Sequence, residues 1–238
     1  MSRPKLPARW LKQIAAAVAV YKKHRTDFSN LAEKVHNDLI RNRDLKKLIH
    51  SAKFREKDPD HLRDKLRRKA FEARDQGKPF RITEQNIFAE IDDLAGVRLL
   101  HIYREQLKEI DPIIRAIFRK YEYTFREKPK AYTWDIENQQ FYKALGFRVE
   151  ANPKFYTSVH YVIRPHYENV GCEIQVRTLA EELWGEVSHE INYPHPSKCN
   201  SCREQLAVLA RSASGCTRLV DSIFATKKEF SKLKARKR

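Results

Sequence analysis

No apolar run in this chain approaches the ~20 residues that a membrane-spanning helix needs. The short apolar stretch near the start, Ala15 to Tyr21, is flanked by Lys12 and Lys22 and carries no secretory cleavage pattern, so it reads as one face of a helix, and cytoplasm is the expected compartment. Cysteine is sparse. Cys172, Cys199, Cys202 and Cys216 make no disulfide framework for a chain of 238 residues. Cys199-Asn-Ser-Cys202 has zinc-like spacing with His189 and His195 upstream, but a structural zinc site takes four ligands, more than a lone cysteine pair supplies. Internal repeats and low-complexity linkers are absent too, which leaves one sizeable domain with a core of its own. Acidic residues are outnumbered, 31 against 48 Lys plus Arg, for a formal charge of +17. That excess favours polyanionic partners such as nucleotides, tRNA, ribosome or another nucleic acid; the alternative is a basic surface kept for solubility.

What is present divides into three stretches: a helical extension over 1–50, an α/β core over 51–198, and a helix with a basic tail over 199–238. In the first, Trp10, Leu11 and Ile14 recur at helical spacing, and so do Phe28, Leu31, Val35 and Leu39. Asp58-Pro59 opens a helix that Gly77 closes, with Leu62, Leu66 and Ala70 as its buried stripe. Asp93 to Tyr103 reads as a strand and Glu105 to Tyr121 as a helix. Ser158 to Arg164 and Cys172 to Arg177 read as two strands paired in a hairpin. Thr178-Leu-Ala-Glu181 is a capping box, and the helix it starts is expected to bury Leu179, Leu183, Val187 and Ile191. Ser201-Cys-Arg-Glu204 carries the same signature and predicts a helix to about Phe224. The cationic end, Lys227, Lys228, Lys232, Lys234, Arg236, Lys237 and Arg238, is expected to fray as a solvated tail, with RNA binding as the alternative.

Three constellations carry chemistry. Alternation puts Glu173, Gln175 and Arg177 on one strand face, where a carboxylate, an amide and a guanidinium suit metal and phosphate; an edge strand with a solvated face is the alternative. Asp92-Asp93-Leu-Ala-Gly-Val-Arg98 is a strand that opens on a carboxylate pair able to hold a divalent cation, with a guanidinium nearby for phosphate or base. Strict alternation sets Asp93 and Arg98 on opposite faces, unless Gly96 allows a bulge. Tyr156, Ser158 and His160 share a third strand face, with a ring that can stack on a purine.

Asp93-Leu-Ala-Gly-Val-Arg98, then Tyr156-Thr-Ser158-Val-His160-Tyr161, then Glu173-Ile-Gln175-Val-Arg177-Thr178 with Trp184 and His189 following, resembles the synthetase domain of RelA/SpoT-type alarmone synthetases over about Ser51 to Tyr193. The resemblance implies a mixed-sheet, nucleotidyltransferase-like α/β (α+β) core with flanking N- and C-terminal helices. It implies transfer of the β,γ-diphosphate of ATP to the 3′-hydroxyl of GDP or GTP, giving (p)ppGpp and AMP, with Mg2+. Toxic relatives put the diphosphate on the 3′-terminal adenosine of tRNA instead, and a catalytically silent nucleotide- or RNA-binding module is a third reading.

By the same resemblance Asp93 and Glu173 are the metal-binding and catalytic carboxylates, and Asp92 is a structural or solvated neighbour. Arg55, Lys57 and Lys65 bind ATP, and Arg55 and Arg98 sandwich its adenine. Tyr156 stacks on the acceptor guanine, with Ser158, His160 and Gln175 around it. The chain departs from the family at His61, where serine is usual, and at Phe155-Tyr156-Thr157-Ser158, where many members read Gly-Tyr-Arg-Ser. The lost glycine removes backbone latitude, and Lys154 replaces part of the lost arginine charge. His189 is as readily structural as catalytic. No hydrolase half is recognisable, which implies a synthesis-only protein whose hydrolase or antitoxin is encoded elsewhere.

Overall fold

The computed structural model describes residues 5–166, 170–192 and 197–236. In chain order the elements are α1 (Ala8–Lys23), α2 (Arg25–Ile40), α3 (Arg43–Leu48), β1 (Ser51–Glu56), α4 (Pro59–Asp75), α5 (Ile87–Glu90), β2 (Ala95–His101), α6 (Leu107–Lys120), β3 (Thr124–Phe125), β4 (Lys130–Thr133), α7 (Ile136–Ala144), β5 (Arg148–Ala151), β6 (Ser158–Arg164), β7 (Cys172–Thr178), α8 (Leu179–Asn192) and α9 (Asn200–Arg236). The strands form one mixed sheet of order β1-β2-β7-β6-β4-β5, with β3 pairing on the far end of β6. The β2–β7 and β4–β5 pairs are parallel and the rest antiparallel. This is the mixed α/β architecture that the resemblance implies.

Period-two alternation gives the sheet two unlike faces. Val97, Leu99, Val159, Tyr161, Ile163, Ile174 and Val176 are buried on one of them, in a single apolar cluster with Phe28, Leu31, Val35 and Leu39 of α2 and Ile110, Ile114, Ile117 and Phe118 of α6. Each large side chain buried there contributes roughly 1.5–3 kcal/mol. The first three helices are therefore part of the same core as the sheet: α2 packs on β1 and β2, and α1 on α4. Leu11, expected inside, is 40% exposed, while its neighbours Trp10 and Ile14 are buried.

The helix starts follow their caps. Asp58 accepts from the backbone N–H groups of Asp60 and His61 at 2.8 and 3.0 Å, with Pro59 in the first turn. Gly77 follows α4 at φ +65°, a conformation that closes helices. Thr178 and Glu181 form the expected capping box: Thr178 N–H donates to Glu181 Oε2 at 2.8 Å, and Glu181 N–H to Thr178 Oγ1 at 3.3 Å. β6 and β7 pair antiparallel as expected. β1, β3, β4, α7 and β5 carry no period strong enough to have been read from sequence.

Two expectations at the C-terminal end are corrected. α9 begins at Asn200, so Ser201 lies inside the helix rather than capping it, and Cys199 Sγ accepts the Cys202 N–H at 3.3 Å. The helix then runs 37 residues to Arg236, well past Phe224, so the basic segment through Arg236 is helical. It is pinned to the body from its inner side. Asp135, which caps α7, also accepts from Ser214 and Arg218 at 2.6 and 2.8 Å, Asp221 accepts the Glu105 N–H at 3.0 Å, and Phe224 stacks on Tyr103. Among the described residues no group of three or more His, Cys, Asp or Glu side chains is arranged to hold a metal, and His195 lies outside them. Among the same described residues no helix is long and apolar enough to cross a membrane.

Candidate active site

The other face of the sheet is polar. Register aligns Lys53, Arg98, Gln175, His160 and Lys130 in one row across β1, β2, β7, β6 and β4, and Arg55, Gly96, Glu173 and Val162 in the next. Residues paired in register share a face, so Arg55 and Arg98 are diagonal neighbours on it. The ladder runs through Gly96 without a bulge, and a Cβ there would meet only ordinary contacts. The opposite-face problem for Asp93 does not arise, because Asp93 sits in the turn before β2, where strand alternation has not begun.

Asp93 is gripped by two lysines. Lys57 Nζ donates to Oδ2 at 2.7 Å, and Lys65 Nζ, on α4, stands 2.8 Å from Oδ1 without a hydrogen-bond alignment to it. Burial opposes charge on Asp93, but Lys57 and Lys65 outweigh it and hold the carboxyl below its usual range. Asp92 turns away to an ion pair with Arg126 and lies against Gly171. Glu173 accepts from Gln175 Nε2 at 2.6 Å and pairs with His160 Nδ1 at 3.1 Å. Burial again opposes the charge, and His160, Gln175 and Lys65 overcome it, so Glu173 is held well below the usual carboxylate range. His160 is pushed the other way: burial lowers it, but Tyr156 and Glu173 raise it to about 10. Tyr156 Oη and His160 Nε2 are 2.9 Å apart.

Magnesium binds through one or two carboxylates plus substrate phosphates and waters. Two ionised carboxylates near enough to feel each other's charge, one with a buried oxygen not aligned to any donor, fit that demand. Asp93 and Glu173 are the residues that would hold the ion.

Arg98 is engaged from α8: its Nη1 donates to Glu182 Oε1 at 2.6 Å and Glu186 Oε1 at 2.7 Å. Arg177, one row further along, pairs with the other oxygen of Glu182 and lies over the Tyr156 ring, 5.8 Å from its centre. This overturns the expected packing of α8. Its buried face carries Glu181, Glu182 and Trp184, whereas Leu183 and Ile191 are exposed. Glu182 turns inward because Arg98 and Arg177 wait there, and Glu181 because it completes the capping box with Thr178. Glu182 and Glu186, four apart on one helix face, were the available signal.

Around Tyr156, Ser158 is wholly buried, with its hydroxyl donating to Val176 O at 3.5 Å, and Lys154 is exposed in the preceding turn. Tyr132, on the unforeseen β4, packs 4.8 Å from His160. Phe155 adopts φ +64°, the left-handed region that favours glycine, and its ring is anchored edge-on to Trp134 at 5.2 Å with Arg211 of α9 beside it. The strain of a bulky residue there is held by that aromatic anchor. His61, in the first turn of α4, meets His189 of α8 at 5.6 Å.

The sequence pattern described as "Region found in RelA / SpoT proteins" matches residues 54–198. No curated protein matches the chain significantly. Among solved structures, small alarmone synthetase 1 from Bacillus subtilis, bound to its product pppGpp, is similar at 18% identity and TM-score 0.62, over 88% of this chain and 98% of that one. A GTP pyrophosphokinase family protein from Streptococcus pneumoniae is similar at 17% identity and TM-score 0.61, over 96% of this chain and 98% of that one. These likenesses are of fold. The pattern match spans well over half of the chain, including both carboxylates and the sheet face between them, and the protein belongs to the RelA/SpoT family.

Proposed function

We propose that the protein transfers the β,γ-diphosphate of ATP to the 3′-hydroxyl of GDP or GTP, with AMP as the leaving group and (p)ppGpp as product. One observation carries this reading: two ionised carboxylates, Asp93 in the turn before β2 and Glu173 on β7, stand at one end of the polar sheet face, with lysines on the Asp93 side and an aromatic–imidazole pair on the Glu173 side. Asp93 and Glu173 would hold a magnesium ion, which would supply charge neutralisation on the donor phosphates.

The chain's own residues do the rest. Lys57 and Lys65 are placed to receive the donor phosphates in partial exchange for Asp93. Arg55 and Arg98, diagonal neighbours about 7–8 Å apart at their backbones, leave room for one adenine between two guanidinium planes. Tyr156 offers its ring to the acceptor base. His160, held protonated, is a cation for the acceptor's phosphates, and Gln175 orients Glu173. A carboxylate held as far below its usual range as Glu173 is a better metal ligand than proton acceptor, which favours the metal role. The ligands of the similarly folded Bacillus subtilis synthetase, pppGpp and AMPCPP, are of the two classes these subsites would take.

A second reading, transfer to the 3′ end of tRNA, draws on the +17 charge and on exposed cations along α4 (Arg67, Arg68, Lys69) and α9 (Lys227, Lys228, Lys232, Lys234). The test incubates protein and magnesium with ATP labelled on its terminal phosphate, offering GDP, GTP, ATP and deacylated tRNA separately. An Asp93→Asn/Glu173→Gln variant runs alongside. Label on guanine nucleotide alone establishes the first reading and label on tRNA alone the second. Failure of transfer to every acceptor overturns both in favour of a silent binding module.

A further inference from the structure

A single carboxylate on α8 touches both halves of the candidate site. Glu182 Oε1 accepts from Arg98, which belongs to the donor side, and Oε2 pairs with Arg177, whose guanidinium lies over the ring of Tyr156 on the acceptor side. From Tyr156 the contacts continue through His160 to Glu173. Glu182 is buried, with its side chain 11% exposed, and Arg177 is almost wholly buried. The second α8 carboxylate on Arg98, Glu186, is 61% exposed, so water screens it and leaves the orientation of Arg98 to Glu182. Position 185 is glycine where α8 faces this guanidinium: a Cβ there would stand 2.7 Å from Arg177 Nη1, so any larger residue must push that side chain aside.

We propose that Glu182 is a positioning residue that couples the two nucleotide subsites. The inference rests on the assignment of Arg98 to the donor and Tyr156 to the acceptor made above. Both ion pairs use the edges of the guanidinium groups, which leaves the flat faces of Arg98 available to a base. A nucleotide that settles on Arg98 fixes the plane of that guanidinium and with it the Glu182 carboxylate. The same carboxylate then holds Arg177 against Tyr156, so the acceptor meets a platform already ordered. Equilibrium coupling is reciprocal, so the acceptor must tighten donor binding by the same factor.

Calorimetry with the full chain tests this, using AMPCPP as a non-reacting donor and GDP as acceptor, each titrated with and without the other. In the wild type each nucleotide is expected to tighten the other's binding equally, by about fivefold or more. Glu182→Gln should bind each nucleotide alone but reduce that factor to near one, while Glu186→Gln keeps it. Should Glu182→Gln fold poorly, Glu182→Gln/Arg177→Gln removes one buried charge of each sign; its acceptor binding should weaken with the loss of the Arg177 contact to Tyr156, and the coupling factor should again fall to near one. Coupling that is absent in the wild type, or intact in the Glu182 variants, overturns the inference while the proposed function stands. Failure of the wild type to bind either nucleotide overturns the function, and the inference with it.

Discussion

Glu173 and His160 set the electrostatics of the site between them. With its folded pKa raised to about 10 from 6.5, His160 adds stability that is fully present below pH 6.5 and is lost as pH rises through 10. Glu173 works in the opposite sense: its contribution is present above the ordinary carboxylate range and lost as pH falls. Replacing Glu173 by Gln should therefore flatten the fall in melting temperature between pH 7 and 10 and move His160 back toward its ordinary value, which NMR titration of the imidazole would read. The same variant, and Asp93→Asn, should lower transfer by at least about 100-fold with little loss of fold. These carboxylates were legible as residues because Glu173 lies on a strand with a clear period and Asp93 stands two residues before another. Their partners were not: the Lys57 and Lys65 grip on Asp93 joins a strand end, a helix and a turn, and only the folded chain brings the three together.

At the scale of the element, α8 is the instructive case. Its capping box was readable from four residues, because a cap is a local hydrogen-bond pattern. Its buried face was not, because apolar spacing pointed to Leu183 and Ile191 while the sheet beneath presented arginines. The inward turn also buries Glu181 among Trp134, Phe155 and Trp184, and burial raises its carboxyl to about 7. A raised acid favours the folded state when protonated, so its contribution is full below pH 4.5 and is lost as pH rises through 7. Glu181→Gln keeps an acceptor for Thr178 and should raise stability at pH 8 by on the order of 3 kcal/mol, with no gain at pH 4; denaturant melts at the two values measure it. Gly185→Ala should weaken acceptor binding more than donor binding, since the added methyl displaces Arg177 from Tyr156; calorimetric titration with each nucleotide measures it.

For the whole molecule, one sheet separates two environments: an apolar face covered by α2 and α6, and a polar face partly covered by α8 through Glu182 and Glu186. The last part of α9, beyond Phe224, runs past the contacts that pin the rest of the helix, with Phe230 and Leu233 more than half exposed. A helical stretch held by its own hydrogen bonds alone is marginal in water. Hydrogen exchange should accordingly find the amides of 226–236 exchanging orders of magnitude faster than those of 206–217, where Leu206, Ala210, Ala213, Ser214 and Thr217 are buried.

By itself the sequence determined strands β2, β6 and β7, the caps at Asp58 and Thr178, and the presence of the two carboxylates, because alternation, capping and ionisable chemistry are written within a few neighbouring residues. The same locality let the blocks around Asp93, Tyr156 and Glu173 carry the family resemblance. Only the tertiary structure decided what each of those residues faces. It set Glu182 between Arg98 and Arg177, turned the α8 leucine outward, and held Phe155 at a glycine's backbone angle by packing it on Trp134. Those outcomes depend on partners tens of residues away, where burial and ion pairing outweigh the local preferences that a sequence displays.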